Sequence, residues 1–163
     1  MSIYIKNKER LCIDDFIFKC CIGQNGLTKK KIEGDKKTPA GIFSLGPLFY
    51  RKDRKLKPNT KLKKIVIKKN MGWCNDINSK KYNRLIKIKK GIKFEKMYRN
   101  DHKYDYVIPI KYNYPKIKKN KGSAIFIHIT KNYKKTLGCI AIKKSDFEIL
   151  LKIINTKTKI HIN

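Results

Sequence analysis

A histidine and a cysteine in the last quarter of the chain, His128 and Cys139, are the pair best suited to covalent chemistry. The histidine follows an apolar run at 124–127, and the cysteine precedes a second apolar run at 140–142. Both runs are short and rich in β-branched residues, so they predict buried strands joined by a Lys-rich loop. Two such strands can bring the imidazole and the thiol face to face. A base beside a thiol raises the thiolate fraction, and the thiolate is the form that attacks a carbonyl.

The turn before the cysteine carries two further candidates, Gly138 and Thr136. Glycine permits a tight turn, and the backbone N–H groups of Gly138 and Cys139 are therefore candidates for an oxyanion hole. A structural interpretation stands beside the catalytic one. A lone cysteine in an apolar strand is usually a small core residue, and a lone histidine near a strand end is usually satisfied by local hydrogen bonds. The spacing alone leaves both interpretations open.

The segment at 122–142 resembles the active-site signature of the L,D-transpeptidase catalytic domain family (YkuD-like), in which a histidine is followed by a Ser/Thr-x-Gly-Cys turn. Here the histidine is His128 and the turn is TLGC at 136–139. A second stretch, EGDKKTPAGIF at 33–43, resembles the family's E-G-D-x-x-T-P-x-G-x-F loop and is expected to shape the cleft rather than perform chemistry. The resemblance covers about residues 20–163 and is to a short bacterial subgroup.

The patterns predict a mostly β protein, a single L,D-transpeptidase-like β-sandwich domain over residues 1–163 with one helix in its C-terminal region. The runs predicted to be strands are at 2–5, 16–22, from 42, 65–67, 106–112, 124–127, 140–142 and 159–162. Pro109 interrupts one of them, which indicates an edge strand or a bulge.

The predicted helix begins at Ser145, because the sequence at 145–148 has the form of a capping box. Apolar residues then recur at helical spacing on one face. They are Phe147, Leu150, Leu151 and Ile154. We expect this face to pack on the sheet and support the strand that follows Cys139.

The chain is strongly basic, with 42 Lys and Arg against 12 Asp and Glu, for a formal net charge of +30. Such a charge favours nucleic acid or another anionic partner. Nearly all of the cations are lysines, and the chain is crowded with Ile and Asn, a mixture that an AT-rich coding sequence produces. Because no basic helix or RNA-binding aromatic motif is present, we expect compositional drift and no specific nucleic-acid binding. An anionic polymer such as cell wall would tolerate the same surface.

The five cysteines are Cys12, Cys20, Cys21, Cys74 and Cys139. Their number is odd, and no Cys-x-x-Cys or zinc spacing occurs, so neither a disulfide framework nor a metal site is expected. No apolar stretch is long enough for a transmembrane segment. The first 23 residues lack the uninterrupted apolar segment and cleavage site of a signal peptide.

Three residues between the two signatures are candidates for substrate binding: Trp73, Arg84 and Arg99. Arginine retained in a Lys-rich chain suggests a need for the planar guanidinium, which pairs with carboxylates. An internal ion pair with an aspartate at 76, 101 or 105 is slightly favoured over substrate contact. Trp73 fits either the core or a groove.

The resemblance implies a cysteine-dependent L,D-transpeptidase acting on peptidoglycan stem peptides. Cys139 would attack the carbonyl between a diamino acid and a terminal D-alanine, His128 would move the proton, and Thr136 would orient the turn. An amine of another stem would resolve the thioester into a 3–3 crosslink, without metal or organic cofactor. The substrate implies the cell envelope or periplasm, with cytoplasmic action on precursors or recycled muropeptides as the alternative.

Two departures from the family pattern stand near the cysteine. Leu137 stands where many members have a histidine, and Ala141 stands where they have an arginine or asparagine. Arg84 or Arg99 would supply from elsewhere the polar group that is missing at Ala141. Two other functions stay open at this point. Water as acceptor gives an L,D-carboxypeptidase or another hydrolase, and a non-catalytic basic module would bind anionic polymer with Cys139 as a structural residue.

Overall fold

The chain folds into fifteen β-strands and one α-helix, and this computed structural model describes all 163 residues. The strands are β1 (Ser2–Lys6), β2 (Arg10–Ile13), β3 (Phe16–Cys21), β4 (Leu27–Thr28), β5 (Thr38–Pro39), β6 (Gly41–Ser44), β7 (Leu48–Tyr50), β8 (Lys64–Val66), β9 (Met71–Cys74), β10 (Leu85–Lys87), β11 (Phe94–Lys96), β12 (Tyr106–Pro109), β13 (Phe126–Ile129), β14 (Ile140–Ile142) and β15 (Lys159–Ile162). The helix α1 (Lys144–Ile153) connects β14 to β15. The prediction of a mostly β fold with one late helix is confirmed.

Ten strands form the main sheet, in the order β6-β15-β1-β2-β3-β14-β13-β12-β7-β8. The strands β1, β2 and β3 form an antiparallel meander, and β15 pairs parallel with β1. An isolated bridge between Leu45, after β6, and Ile110, after β12, joins two distant parts of the sheet. The sheet is therefore curled, and the parallel pair β13–β14 lies at its centre.

The two faces of β13 belong to different parts of the core, because side chains alternate along a strand. Ile127 and Ile129 enter the large cluster of buried apolar residues that also contains Phe147 of α1. Phe126 faces a smaller cluster on the other side, together with Met97 and residues of the neighbouring strands. His128, two residues after Phe126, shares this second face.

A separate three-stranded sheet, in the order β10-β9-β11, covers the second face of β13. Its Trp73 packs edge-to-face on Phe126, with ring centroids 5.1 Å apart, and on Phe49 of β7 at 6.4 Å. The two layers enclose the smaller cluster as a β-sandwich does. A third, two-stranded sheet pairs β4 with β5.

The apolar face of α1 is as predicted, but its start is not. All four of its predicted apolar residues are buried, and Phe147 stacks on Tyr106 of β12 with centroids 5.6 Å apart. The helix begins at Lys144 with Lys143 as N-cap, and no side chain caps it. The capping-box prediction at Ser145 is wrong, since Ser145 lies inside the first turn and its hydroxyl donates to Asp146 Oδ1 at 3.4 Å.

Two other predictions need correction. Of the two alternatives predicted for Pro109, an edge strand or a bulge, the edge strand is wrong, because β12 pairs with both β13 and β7. The proline is accommodated at the last residue of the strand, where the pairing with β7 has already ended. His161, expected to face solvent, is half-buried, with its ring centroid 4.6 Å from that of Tyr4.

All five cysteines are free thiols. Cys20 and Cys21 are buried in the sheet, as their apolar surroundings predicted. The single helix falls short of the length and apolar character that a membrane-spanning helix requires.

Candidate active site

The parallel pairing of β13 and β14 brings His128 and Cys139 to one face of the sheet. In this pairing His128 lies opposite Ala141. Cys139 immediately precedes β14 and, two residues before Ala141, projects on the same side of the sheet. The thiol and the imidazole are thus diagonal neighbours on adjacent strands, and both belong to the side of the sheet that faces Phe126.

The hydrogen bond of the His128 ring fixes which nitrogen can act as a base. Nδ1 lies 2.9 Å from the carbonyl oxygen of Ile129, and a carbonyl only accepts, so Nδ1 carries the proton. Nε2 of the neutral ring therefore holds a lone pair. Burial and, to a smaller extent, the charges of Lys103 and Arg99 lower the pKa of His128 to about 4, and the hydrogen bond with the Ile129 carbonyl opposes them. The ring is neutral at physiological pH.

The thiol of Cys139 is also neutral at rest. It donates a hydrogen bond to the carbonyl oxygen of Ala124 at 3.3 Å and does not hydrogen bond to His128. Burial, together with the negative charge of Glu95, raises the pKa of Cys139 to about 12. The backbone N–H of Phe126 acts in the opposite direction and lowers the pKa. A nucleophilic thiolate would therefore form only as the proton is transferred.

Thr136 holds the turn before the cysteine by two hydrogen bonds. Its hydroxyl donates to the carbonyl oxygen of Cys139 at 2.6 Å and accepts from the N–H of Gly138 at 3.1 Å. The N–H of Gly138 is thus occupied, while the N–H of Cys139 donates to no group of the chain. Of the two candidate oxyanion donors, the Cys139 N–H is the free one.

The loop of the second signature braces this turn. Thr38, fully buried, donates through its hydroxyl to the carbonyl oxygen of Gly138 at 2.8 Å and accepts from the N–H of Gly23 at 2.9 Å. Gly138 has a φ of +142°, and a Cβ there would lie 2.9 Å from the carbonyl oxygen of Lys37. Only glycine fits this close approach of the two loops. The structural role expected for this loop agrees with these contacts.

Asn83 connects Trp73 to Ala124, the residue whose carbonyl oxygen accepts the hydrogen bond of the Cys139 thiol. Its side-chain oxygen accepts from Trp73 Nε1 at 3.0 Å and from the N–H of Ala124 at 3.2 Å. Its amide nitrogen donates to the carbonyl oxygens of Tyr112 and Asn113, each at 3.2 Å. Ala124 has a φ of +53°, a conformation unusual for a residue with a side chain, and Asn83 helps to hold it.

A tyrosine and a carboxylate flank the pair on the other side. The ring of Tyr104 packs edge-on to His128 with centroids 5.4 Å apart, and its hydroxyl donates to Glu95 Oε1 at 3.0 Å. Burial and the nearby Cys139 raise the pKa of Tyr104 well above its usual value. Tyr104 therefore stays protonated, and its ring forms the side of the site next to the imidazole.

The two candidate arginines occupy different places. Arg99 lies over the Tyr104 ring at 5.0 Å and forms ion pairs with Asp101 (2.6 Å) and Glu95 (3.3 Å). The internal ion pair favoured from the sequence is therefore present, and it involves Asp101. Arg84 is exposed and its side chain makes no hydrogen bond or ion pair. Arg99 is the arginine that approaches His128, whose pKa it lowers.

The two residues that depart from the family pattern, Leu137 and Ala141, differ in exposure. Leu137 is 69% exposed at the tip of the turn, whereas Ala141 is buried directly opposite His128. No group of three or more His, Cys, Asp or Glu side chains is arranged to hold a metal ion.

Four residues of the site were not singled out from the sequence: Ala124, Asn83, Tyr104 and Glu95. Asn83 lies in the stretch YNRL at 82–85, where only the arginine drew attention. Alanine gives no indication in the sequence of the positive φ at Ala124. The hydrogen bond between Tyr104 and Glu95 joins β11 to the loop that follows it, and no pattern in the sequence predicts this contact.

The family described as YkuD, L,D-transpeptidase catalytic domain, matches residues 2–162, which is nearly the whole chain. No curated protein and no solved structure matches. The family match extends to the N-terminal strands, which the resemblance of the two motifs did not include. The chain belongs to the L,D-transpeptidase catalytic domain family and is an enzyme of that family.

Proposed function

We propose that the protein is an L,D-transpeptidase in which Cys139 is the nucleophile and His128 the general base, acting on peptidoglycan stem peptides. The observation that carries the proposal is the placement of both side chains on one face of the pair β13–β14, with His128 Nε2 free to accept a proton. Family membership supports the same reaction class.

In the first half-reaction Sγ of Cys139 attacks the carbonyl carbon between the diamino acid and the terminal D-alanine. The S–C bond forms as the thiol proton passes to His128 Nε2, and the C–N bond then breaks. His128 returns the proton to the leaving amine, so that D-alanine departs and a thioester remains. Because both groups are neutral at rest, this proton transfer accompanies the attack rather than precedes it.

In the second half-reaction the amine of another stem attacks the thioester carbon and passes its proton to His128, and the thiol leaves. The product is a 3–3 crosslink and the enzyme regains its thiol. In both halves the carbonyl oxygen becomes an oxyanion, and the unpaired N–H of Cys139 is the proposed donor to it. Thr136 and Gly138 hold the Cys139 N–H in position, because their hydrogen bond and that of Thr136 to the Cys139 carbonyl fix the turn.

Three residues are proposed to contact the substrate. Trp73 is half-buried beside Phe126, so the exposed part of its indole can line a cleft. The guanidinium of Arg99 is 30% exposed and Arg84 is exposed, so either can meet a carboxylate of the stem peptide. We place the reaction in the cell envelope because the substrate is there.

The test is product analysis with a tetrapeptide stem as donor and an amine-bearing stem as acceptor, followed by mass spectrometry. Wild type is expected to release D-alanine and form the crosslinked product. Cys139→Ala is expected to lose turnover completely, and His128→Gln to slow it by at least about a hundredfold, the usual contribution of a general base. Cys12→Ala, which removes another partly buried thiol, is the control and should keep full activity.

Turnover that survives Cys139→Ala would contradict the assignment of the nucleophile. Release of D-alanine with only the hydrolysed tripeptide as product would leave the nucleophile in place and replace the transferase by an L,D-carboxypeptidase.

A further inference from the structure

One surface groove concentrates the basic charge of the chain. It has a volume of about 950 Å³ and runs between the edge strand β6, the loop after β4 and the long loop after β12. Eight of its 16 lining residues are lysines and none is acidic. They are Lys29, Lys30, Lys31, Lys111, Lys116, Lys118, Lys121 and Lys159.

Most of these ammonium groups have no carboxylate partner. Lys31 is buried and pairs with Asp35, which neutralises it. The other seven lysines form no ion pair, and Lys159 only donates to the Ser44 hydroxyl at 2.8 Å. Like charges gathered in a concave surface repel one another and focus a positive potential, which an anion relieves. The electrostatics of the groove therefore favour an anionic ligand.

Compositional drift alone does not account for this concentration. Lys and Arg make up 42 of 163 residues in the chain, about a quarter, whereas lysine makes up half of the groove lining. The 12 acidic residues of the chain are absent from the lining. Elsewhere acidic side chains pair with the cations, as Asp53 does with Arg51 and Asp101 with Arg99.

The side chains of the groove indicate what kind of anion it fits. No arginine lines it, so bidentate recognition of base edges or single phosphates is missing. Its aromatic rings are already engaged: Phe43 and Tyr112 pack edge-to-face at 5.5 Å, and Lys111 lies over Tyr114 at 5.6 Å. Nucleic-acid strands bind by stacking on free rings as well as by charge. The groove therefore offers a row of flexible point charges and one exposed ring, Tyr114, rather than a series of stacking platforms.

We propose that the groove is a second binding site, for a linear phosphodiester polymer without bases, of the polyol-phosphate type. The lysines would neutralise successive phosphates along the chain and leave its sugar or polyol units unread. The inference does not depend on the chemistry of Cys139, since none of its lining residues is assigned to catalysis.

The test compares two synthetic oligomers with the same number of phosphates, a propanediol-phosphodiester oligomer and oligo(dT), in binding titrations over a range of salt concentration. The groove variant carries Lys29→Gln, Lys30→Gln, Lys116→Gln and Lys121→Gln, all exposed lysines without side-chain partners. The control variant carries Lys68→Gln, Lys69→Gln, Lys89→Gln and Lys90→Gln, which are exposed and outside the groove. Both variants lose the same net charge.

The expected result is that wild type binds the base-free oligomer at least as tightly as oligo(dT). The groove variant should bind it at least tenfold more weakly at about 0.1 M salt, with a salt slope shallower by about 0.7 for each phosphate that is no longer neutralised. The control variant should stay within about threefold of wild type. The two halves of the groove variant, at 29/30 and at 116/121, should each show part of the weakening.

Three outcomes would overturn the proposal. Equal weakening in both variants would show a diffuse surface charge, and no measurable binding by wild type would remove the site. Distinctly tighter binding of oligo(dT), abolished in the groove variant, would make it a nucleic-acid site instead.

Discussion

The thiol of Cys139 and the imidazole of His128 are both held in their neutral forms by burial, and this sets how each responds to pH. A cysteine whose thiolate is stabilised reaches a plateau of reactivity near its low pKa. Cys139 has a pKa raised to about 12, so its thiolate fraction grows with every step in pH across the accessible range.

We predict that alkylation of Cys139 by iodoacetamide accelerates about tenfold per pH unit between pH 7 and 9, without a plateau. The measurement is the mass of the alkylated peptide over time, in a Cys12→Ala background that removes the other partly buried thiol. A plateau reached below pH 9 would show a thiolate stabilised at rest and contradict this description of the site.

The lowered pKa of His128 makes a prediction about stability. The unfolded histidine binds a proton below its ordinary pKa of 6.5, but the folded one only near pH 4. Between these values the unfolded state holds more protons, so the free energy of unfolding falls as the pH is lowered. The difference between the two pKa values corresponds to a loss on the order of 3 kcal/mol by pH 4.

Urea denaturation of wild type and His128→Gln at several pH values measures this effect. The carboxylates contribute equally to both proteins, so the difference between the two curves isolates the histidine. Parallel curves between pH 6.5 and 4 would show that His128 is not buried in its neutral form.

At the scale of elements, two loops far apart in sequence hold each other through one hydroxyl. Thr38 bonds both Gly138 and Gly23, and both hydrogen bonds are buried. Thr38→Val keeps the shape of the side chain but leaves a buried carbonyl and a buried N–H unpaired. We predict a loss of roughly 2–4 kcal/mol in the free energy of unfolding and slower acylation of Cys139.

Thr38→Ser is the matched control, because it keeps the hydroxyl and removes only a methyl group. Denaturation and acylation rates measured on both variants separate the hydrogen bonds from packing. Equal effects of Val and Ser would mean that the bonds do not brace the turn.

The helix α1 has a defect that can be repaired. Lys143 occupies the N-cap with extended backbone angles, φ −69° and ψ 157°, but has no side-chain oxygen to accept from the first turn. Lys143→Ser supplies one, so we predict a gain of about 0.5–1 kcal/mol in the free energy of unfolding. The substitution also removes the ion pair of Lys143 with Asp146. This pair is long, at 3.7 Å, and its lysine is exposed, so its loss costs less free energy than the new cap supplies.

Thermal denaturation checks the prediction, with Lys152→Ser in the last turn of the helix as control. The control should be neutral or slightly destabilising, because it removes a cation near the C-terminus of the helix. A destabilised Lys143→Ser would mean that another residue serves as the cap.

The elements that could be predicted from sequence are those whose pattern is local. The runs around His128 and Cys139 are continuous and β-branched, and they form β13 and β14. The strands β9, β10 and β11 were not predicted, since they are three or four residues long and mix glycine, lysine and aromatic residues. Their pairing arises from long-range contacts, and so does the cover that they place over the candidate site.

At the scale of the whole molecule, the total charge can be counted in the sequence, but its distribution cannot. The lysines at 29–31, 111–121 and 159 are far apart in the chain, and only the curled sheet gathers them around one groove. Likewise, the motifs predicted His128, Cys139 and the bracing loop, while Asn83, Ala124 and Tyr104 meet the pair through folding alone.

The central claim is that Cys139 is an acylable nucleophile activated by His128, and the mass of the intact protein after incubation with a carbapenem tests it directly. The strained lactam carbonyl of a carbapenem acylates a competent thiol and needs no acceptor. We predict a single adduct on wild type, none on Cys139→Ala, and formation slower by at least about a hundredfold on His128→Gln. An adduct that persists in Cys139→Ala, or its absence from folded wild type, would contradict the assignment.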